Sequence, residues 1–105
     1  MSAVHLNNDT FQQLLARERP TLVEFWAPWC GHCINLEAAF HQISEEYNDR
    51  LAIGKINIDD YPELAEKYFI EFVPTLVLFS EGELVDFVIS PPDRDGIAQF
   101  IEELL

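Results

Sequence analysis

The order of elements in this sequence predicts a mixed α/β fold, a central sheet flanked by helices on both faces. Three observations carry that expectation. Up to Pro62 the apolar pattern alternates between strand-like runs and helical spacing, giving β-α-β-α-β-α. The run Thr21 to Trp26 is β-branched and aromatic, and apolar on both faces apart from Glu24, which suits a central strand covered from each side. After Pro74 the grammar changes to two strands and a closing helix, so parallel pairing with crossover helices gives way to a hairpin.

Taken in order, Ala3 to Leu6 is a short apolar run readable as a strand. Asn7 to Thr10 supplies capping residues for a helix carrying Phe11, Leu14 and Leu15, which should stop before Pro20. Thr21 to Trp26 follows as the central strand. From Gly31 to about Tyr47, the apolar positions Ile34, Leu36, Ala38, Ala39, Phe40, Ile43 and Tyr47 fall close to helical spacing. Leu51 to Ile58 reads as the next strand, and Asp60-Tyr61-Pro62-Glu63 opens a short helix with proline near its first position. Thr75 to Phe79 and Leu84 to Ile89, joined by Ser80-Glu81-Gly82-Glu83, are expected to be antiparallel neighbours. Asp93 to Leu105 closes as an amphipathic helix with Ile97, Phe100, Ile101, Leu104 and Leu105 available for burial.

Composition excludes several classes of function. With 105 residues, 49% of them hydrophobic, the chain is long enough for one core and too short for two ordinary domains, so residues 1–105 are expected to be one domain. No stretch approaches the roughly 20 apolar residues of a membrane span. The start lacks the basic and apolar regions of a signal peptide, so a cytoplasmic protein is expected. A formal charge of -13 repels phosphate backbones and anionic lipid, which argues against nucleic-acid and membrane partners. Much of that charge reads simply as a solvated exterior. Two cysteines cannot staple a small secreted fold by several bridges, so their role is expected to be chemical.

Those cysteines, Cys30 and Cys33, lie at the strand-to-helix junction, two residues apart. Two intervening residues at a helix's first turn let two sulfurs bond with little backbone distortion. Cys30 would meet the unpaired N–H groups and positive dipole end of the helix, which favour thiolate over thiol and mark it as the nucleophile. Cys33, one turn inside, would be the more buried sulfur and would resolve a mixed disulfide at Cys30. An imidazolium at His32, between them, would stabilise the thiolate and hence the reduced pair, moving the protein toward the oxidising end. A metal half-site is the competing reading of such a pair, and His5, His32 and His41 offer no familiar paired spacing to complete it. No metal and no cofactor are therefore expected.

Glu24, the only charge in its strand, would have a raised pKa inside a covered sheet and could exchange a proton with Cys33. Lys55, lone among the apolar positions of the next strand, is its plausible partner, unless both heads splay to water. Trp26 is expected in the core and Trp29 at the surface. Val73-Pro74-Thr75 sets a proline ahead of an apolar strand, compatible with an ordinary trans turn or with a cis bond.

The run Leu22-Val23-Glu24-Phe25-Trp26-Ala27-Pro28-Trp29-Cys30-Gly31-His32-Cys33 resembles the thioredoxin superfamily, its active-site portion being most similar to catalytic domains of protein disulfide isomerase. Lys55-Ile56-Asn57-Ile58-Asp59 is similar to that family's third-strand signature, and Val73-Pro74-Thr75 to the segment carrying its cis-proline. The resemblance spans essentially the whole chain. It implies a thioredoxin fold and disulfide exchange with protein substrates, with Cys30 attacking, Cys33 resolving, Glu24 as buried acid and Lys55 as its partner. It also implies a cis Pro74 against the cysteines and a Val73 backbone that hydrogen-bonds an extended substrate by strand addition. Trp29, Gly31, Val73 and Pro74 make up the expected substrate-binding set. A monomer recycled by a thioredoxin reductase is the expected form.

This chain departs from the family pattern in places. Ala38 stands where many thioredoxins have a helix-kinking proline, and Ser90-Pro91-Pro92 replaces a glycine-containing loop at the rim of the groove. Arg94 lies near the position of an arginine that ionises the second cysteine in isomerases, without aligning to it, and receives no such role. Reductase and oxidase or isomerase remain open as directions. The rival outside catalysis is an interaction module, whose function would survive loss of both cysteines.

Overall fold

The computed structural model describes residues 4–105, so the Ala3 start expected for the first strand lies outside the described residues. In chain order the elements are β1 (Val4–His5), α1 (Asn8–Leu15), β2 (Thr21–Trp26), α2 (Gly31–Glu46), β3 (Ala52–Asn57), α3 (Pro62–Lys67), β4 (Thr75–Ser80), β5 (Glu83–Ile89) and α4 (Arg94–Leu104). Every expected element is present, with ends moved by a residue or two.

Local chemistry sets those ends. The Asn7 side chain accepts from the Thr10 N–H at 2.8 Å, and the Asn7 N–H donates back to Thr10 Oγ1 at 2.8 Å, a reciprocal cap for α1. Asp93 Oδ1 accepts from the Gly96 N–H at 2.8 Å and starts α4. At the end of α3 the Ile70 N–H donates to the Ala65 carbonyl and the Phe69 N–H to that of Glu66, the paired bonds of a Schellman stop. The residue this motif places in the left-handed region, usually glycine, is Phe69, with φ 57°. A side chain there costs roughly 1–2 kcal/mol. Between β4 and β5, Glu81 and Gly82 both have positive φ, which lets a two-residue turn follow the twist of the strands.

The sheet order is β1-β3-β2-β4-β5. β1, β3 and β2 run parallel, β4 is antiparallel to β2, and β5 is antiparallel to β4. Alternation along the strands separates two cores. Val23, Phe25, Ile56, Val77 and Phe79 pack with Phe11, Leu14 and Leu15 of α1 and Leu64 of α3. Leu22, Leu76 and Leu78 pack with Leu36, Phe40 and Ile43 of α2 and Ile97 and Ile101 of α4. β2 is buried along almost its whole length, as its two apolar faces predict.

Some apolar positions differ from their expected burial. Ile34 and Ala38 fall outside the narrow inner stripe of α2 and are exposed, and Leu105 lies past the last turn of α4 and is exposed as well. α2 is unbroken through Ala38.

Candidate active site

The end of β2 and the start of α2 bring the cysteines to the rim of the sheet. Cys30 is the N-cap of α2, with extended backbone, and its Sγ accepts from the Cys33 N–H at 3.1 Å. An N-terminal donor that a hydroxyl or carboxylate usually satisfies is here satisfied by sulfur. The two residues are joined as a disulfide with their Cα atoms 5.2 Å apart. Cys30 is 7% and Cys33 4% exposed, both packed with Ala27 and bordered by Trp26, Ile58 and Val73.

The chain from α3 to β4 supplies the facing wall. The Val73–Pro74 peptide is cis, and the Val73 carbonyl oxygen lies 3.5 Å from Cys30 Sγ. Gly31 is exposed, with nothing within 4 Å of where a Cβ would stand, so the backbone between the cysteines faces open space. Trp29 is 67% exposed, and its indole N–H donates to Asp59 Oδ1 at 3.2 Å. Asp59 is itself held by its N–H, which donates to Asn57 Oδ1 at 2.9 Å.

Glu24 lies beneath α2. It shares a sheet face with Leu22 and Leu76, neighbours Lys55 in the β2–β3 register, and is 1% exposed. Lys55 Nζ stands 4.0 Å from Glu24 Oε1 and 4.8 Å from the centre of the Trp26 ring. Neither Glu24 oxygen has a hydrogen-bond partner among the described residues. Burial pushes its pKa up to about 7, against the pull of Lys55 and with a further push from Glu37 on α2. Both charged heads are therefore withdrawn from bulk water, the alternative to the splayed arrangement. Trp26 is only half-buried, less than a core position implies, because its ring lies between Lys55 and His5 at the sheet's rim.

His32 Nε2 lies 2.9 Å from the Pro91 carbonyl oxygen, a contact in which the ring N–H donates. That nitrogen is thus committed to the β5–α4 loop. Arg94 pairs with Glu46 at the far end of α2, roughly 24 Å along the helix from Cys30. Asp59 and the Pro91 carbonyl are contributors that sequence reasoning missed. Asp59 is visible in the sequence only as part of a strand signature, and no sequence pattern marks a carbonyl as a histidine's partner.

The thioredoxin family model matches residues 2–103. The chain belongs to the thioredoxin family. Among curated relatives, the thioredoxin of Porphyra purpurea is 42% identical over 106 residues, covering 100% of this chain and 99% of its own. Thioredoxin 1 of Nostoc sp. is 34% identical, covering 99% of this chain and 98% of its own. A chloroplastic M-type thioredoxin of Chlamydomonas reinhardtii is 36% identical over 95% of this chain and 72% of its own. Of solved structures, a mutant thioredoxin from Halobacterium salinarum superposes with a TM-score of 0.85 at 32% identity, over 96% of this chain and 88% of that one.

Full-length thioredoxin relatives and the paired cysteines together make this family member a thiol-disulfide oxidoreductase. Among the described residues, no helix is long and apolar enough to cross a membrane.

Proposed function

We propose that this chain acts as a single-domain, monomeric protein-disulfide reductase, recycled by a thioredoxin reductase in the cytoplasm. The observation that carries the reading is Cys30 at the α2 N-cap, its sulfur 3.1 Å from the Cys33 N–H and 3.5 Å from the Val73 carbonyl. In the reduced protein the same N–H stabilises a Cys30 thiolate. That thiolate attacks one sulfur of a substrate disulfide, and the departing substrate thiolate takes up a proton. Cys33 then gives its proton to Glu24 and attacks Cys30. The mixed disulfide breaks, the second substrate thiolate takes up a proton, the substrate leaves as a dithiol, and two electrons have passed from the Cys30/Cys33 pair. Carboxylates buried without hydrogen bonds ionise late, and Glu24, with a pKa of about 7, is suited to accepting and releasing that proton near neutrality. Lys55 keeps the ionised form within reach.

Val73 offers backbone groups to an extended substrate, beside Pro74, and the exposed Trp29 and Gly31, either side of Cys30 in the chain, complete the substrate surface. His32 favours a more oxidising pair, whereas the full-length thioredoxin relatives favour a reductant. Equilibration in glutathione buffers decides between them. A potential near about -270 mV supports the reductase, and one around or above roughly -200 mV makes oxidase or isomerase the better description. Cys33→Ser is expected to accumulate a mixed disulfide with substrate at Cys30. If no adduct forms, the assignment of nucleophile and resolving thiol is wrong.

A further inference from the structure

An apolar groove lies between the α3–β4 loop and the β5 edge, outside the machinery described above. The β4–β5 register sets Leu84 opposite Phe79, Phe87 opposite Val77 and Ile89 opposite Thr75, so all three face the same way as the α1/α3 core. That face is left open over β5, where Leu84 is 40%, Phe87 51% and Ile89 45% exposed. The irregularity at Leu78/Phe79 inserts Val85 as an unpaired residue, and this extra step turns Leu84 onto the Phe87 side. Phe69 and Phe72 stand across from them, enclosing about 460 Å³.

Phe69 is the informative residue. It is 86% exposed and holds the left-handed position of the α3 stop, where glycine would fit without strain. The fold gains nothing from an exposed aromatic at that point. Strain and apolar exposure retained together point to a use outside the folded chain.

We propose that the groove receives apolar side chains of the protein substrate, on a segment carrying Lys or Arg beside them, next to its reactive disulfide. This rests on the disulfide-reductase reading and supplies its substrate class. Continuity supports the occupant, because Phe72 precedes Val73, whose carbonyl lies 3.5 Å from Cys30 Sγ, and Thr75 and Ile89 line the same groove. A substrate laid along Val73 therefore runs on into it. Charge selects the chemistry. Among the residues lining the groove the charged one is Glu71, and no Lys or Arg lines it. A second copy, with its own net charge of -13, is a poor occupant, and a basic segment a good one.

The test uses cysteine peptides as mixed disulfides with thionitrobenzoate, in which Phe and Leu near the cysteine are flanked by Arg, by Glu, or replaced by Ser. The same leaving group on mercaptoethanol gives the reference rate. The reduced wild-type chain is expected to react about tenfold faster with the Phe/Leu/Arg peptide than with either other peptide, after normalisation. Phe69→Gly, which relieves strain and so preserves the fold, and Phe87→Thr, a good strand residue, should each erase most of that preference. Glu71→Lys should shift it toward the Glu peptide. Normal reaction with the reference and no preference among peptides overturns the groove assignment alone. Failure with every disulfide, the reference included, overturns the reductase reading and this inference with it. Dimerisation in sedimentation that Phe69→Gly abolishes assigns the groove to a second copy instead and overturns the proposal.

Discussion

Glu24 and Lys55 face each other on adjacent parallel strands, 4.0 Å apart, yet the carboxyl keeps its proton up to a pKa of about 7. Desolvation outweighs attraction here because Glu24 is almost sealed from water and lacks a hydrogen bond among the described residues.

That relationship has a signature in stability. The folded-state pKa lies above the ordinary value of 4.5, so between about pH 4.5 and pH 7 the native state binds more protons than the unfolded chain. Stability from this group is present below that window and is lost as pH rises through it, by roughly 3 kcal/mol, and the loss then levels off. Urea unfolding of Glu24→Gln beside wild type should show the variant gaining about that much from pH 4.5 to pH 8, with little difference below. A gap that stays constant across the range would mean Glu24 does not carry this buried proton.

Removing the counter-charge should move the same midpoint. Lys55 is what holds the Glu24 pKa down, so Lys55→Met should raise it further and delay the rise of the resolving step with pH. Rapid-mixing measurements of mixed-disulfide breakdown against pH would read the midpoint directly. An unchanged or lower midpoint would contradict the pairing.

At the other side of the site, His32 is bound to Pro91 through Nε2. The reading of His32 as a stabiliser of the Cys30 thiolate predicts that alanine there destabilises the reduced pair. The potential of His32→Ala should fall by about 30–60 mV, each 30 mV being roughly 1.4 kcal/mol for a two-electron couple. A potential that does not move would show that the imidazole has no electrostatic hold on the pair.

Packing beneath the site allows one purely structural expectation. A Cβ at Gly54 on β3 would lie 2.5 Å from Leu6 Cδ1, a clash with a buried side chain. Gly54→Ala should lower stability by about 1–3 kcal/mol in chemical denaturation, with Leu6→Ala recovering part of the loss in the double variant. Additive losses would argue that the two sites are independent.

The features legible in the sequence are those governed by neighbours a few positions away. Asn7 and Asp93 announce helix starts because a cap acts within three residues, and the two-residue gap from Cys30 to Cys33 is one helical turn. The hairpin is readable from Glu81-Gly82, and the central strand from the unbroken apolar run around Glu24. The candidacy of Glu24 and Lys55 as partners comes from their being lone charges in apolar strands.

Tertiary structure decided whatever depends on which distant segments meet. It sealed Glu24 beneath α2 and so set the size of its pKa shift, since the extent of burial belongs to the packed sheet rather than to the strand. It joined His32 to a carbonyl at Pro91 and Trp29 to Asp59, contacts between residues far apart in the chain. It also left Phe69 and Phe87 exposed across one groove. Apolar patterning predicts that such side chains seek burial. Only the sheet order, a bulge that turns Leu84, and the limited reach of the helices determine which of them have nothing among the described residues to lie against.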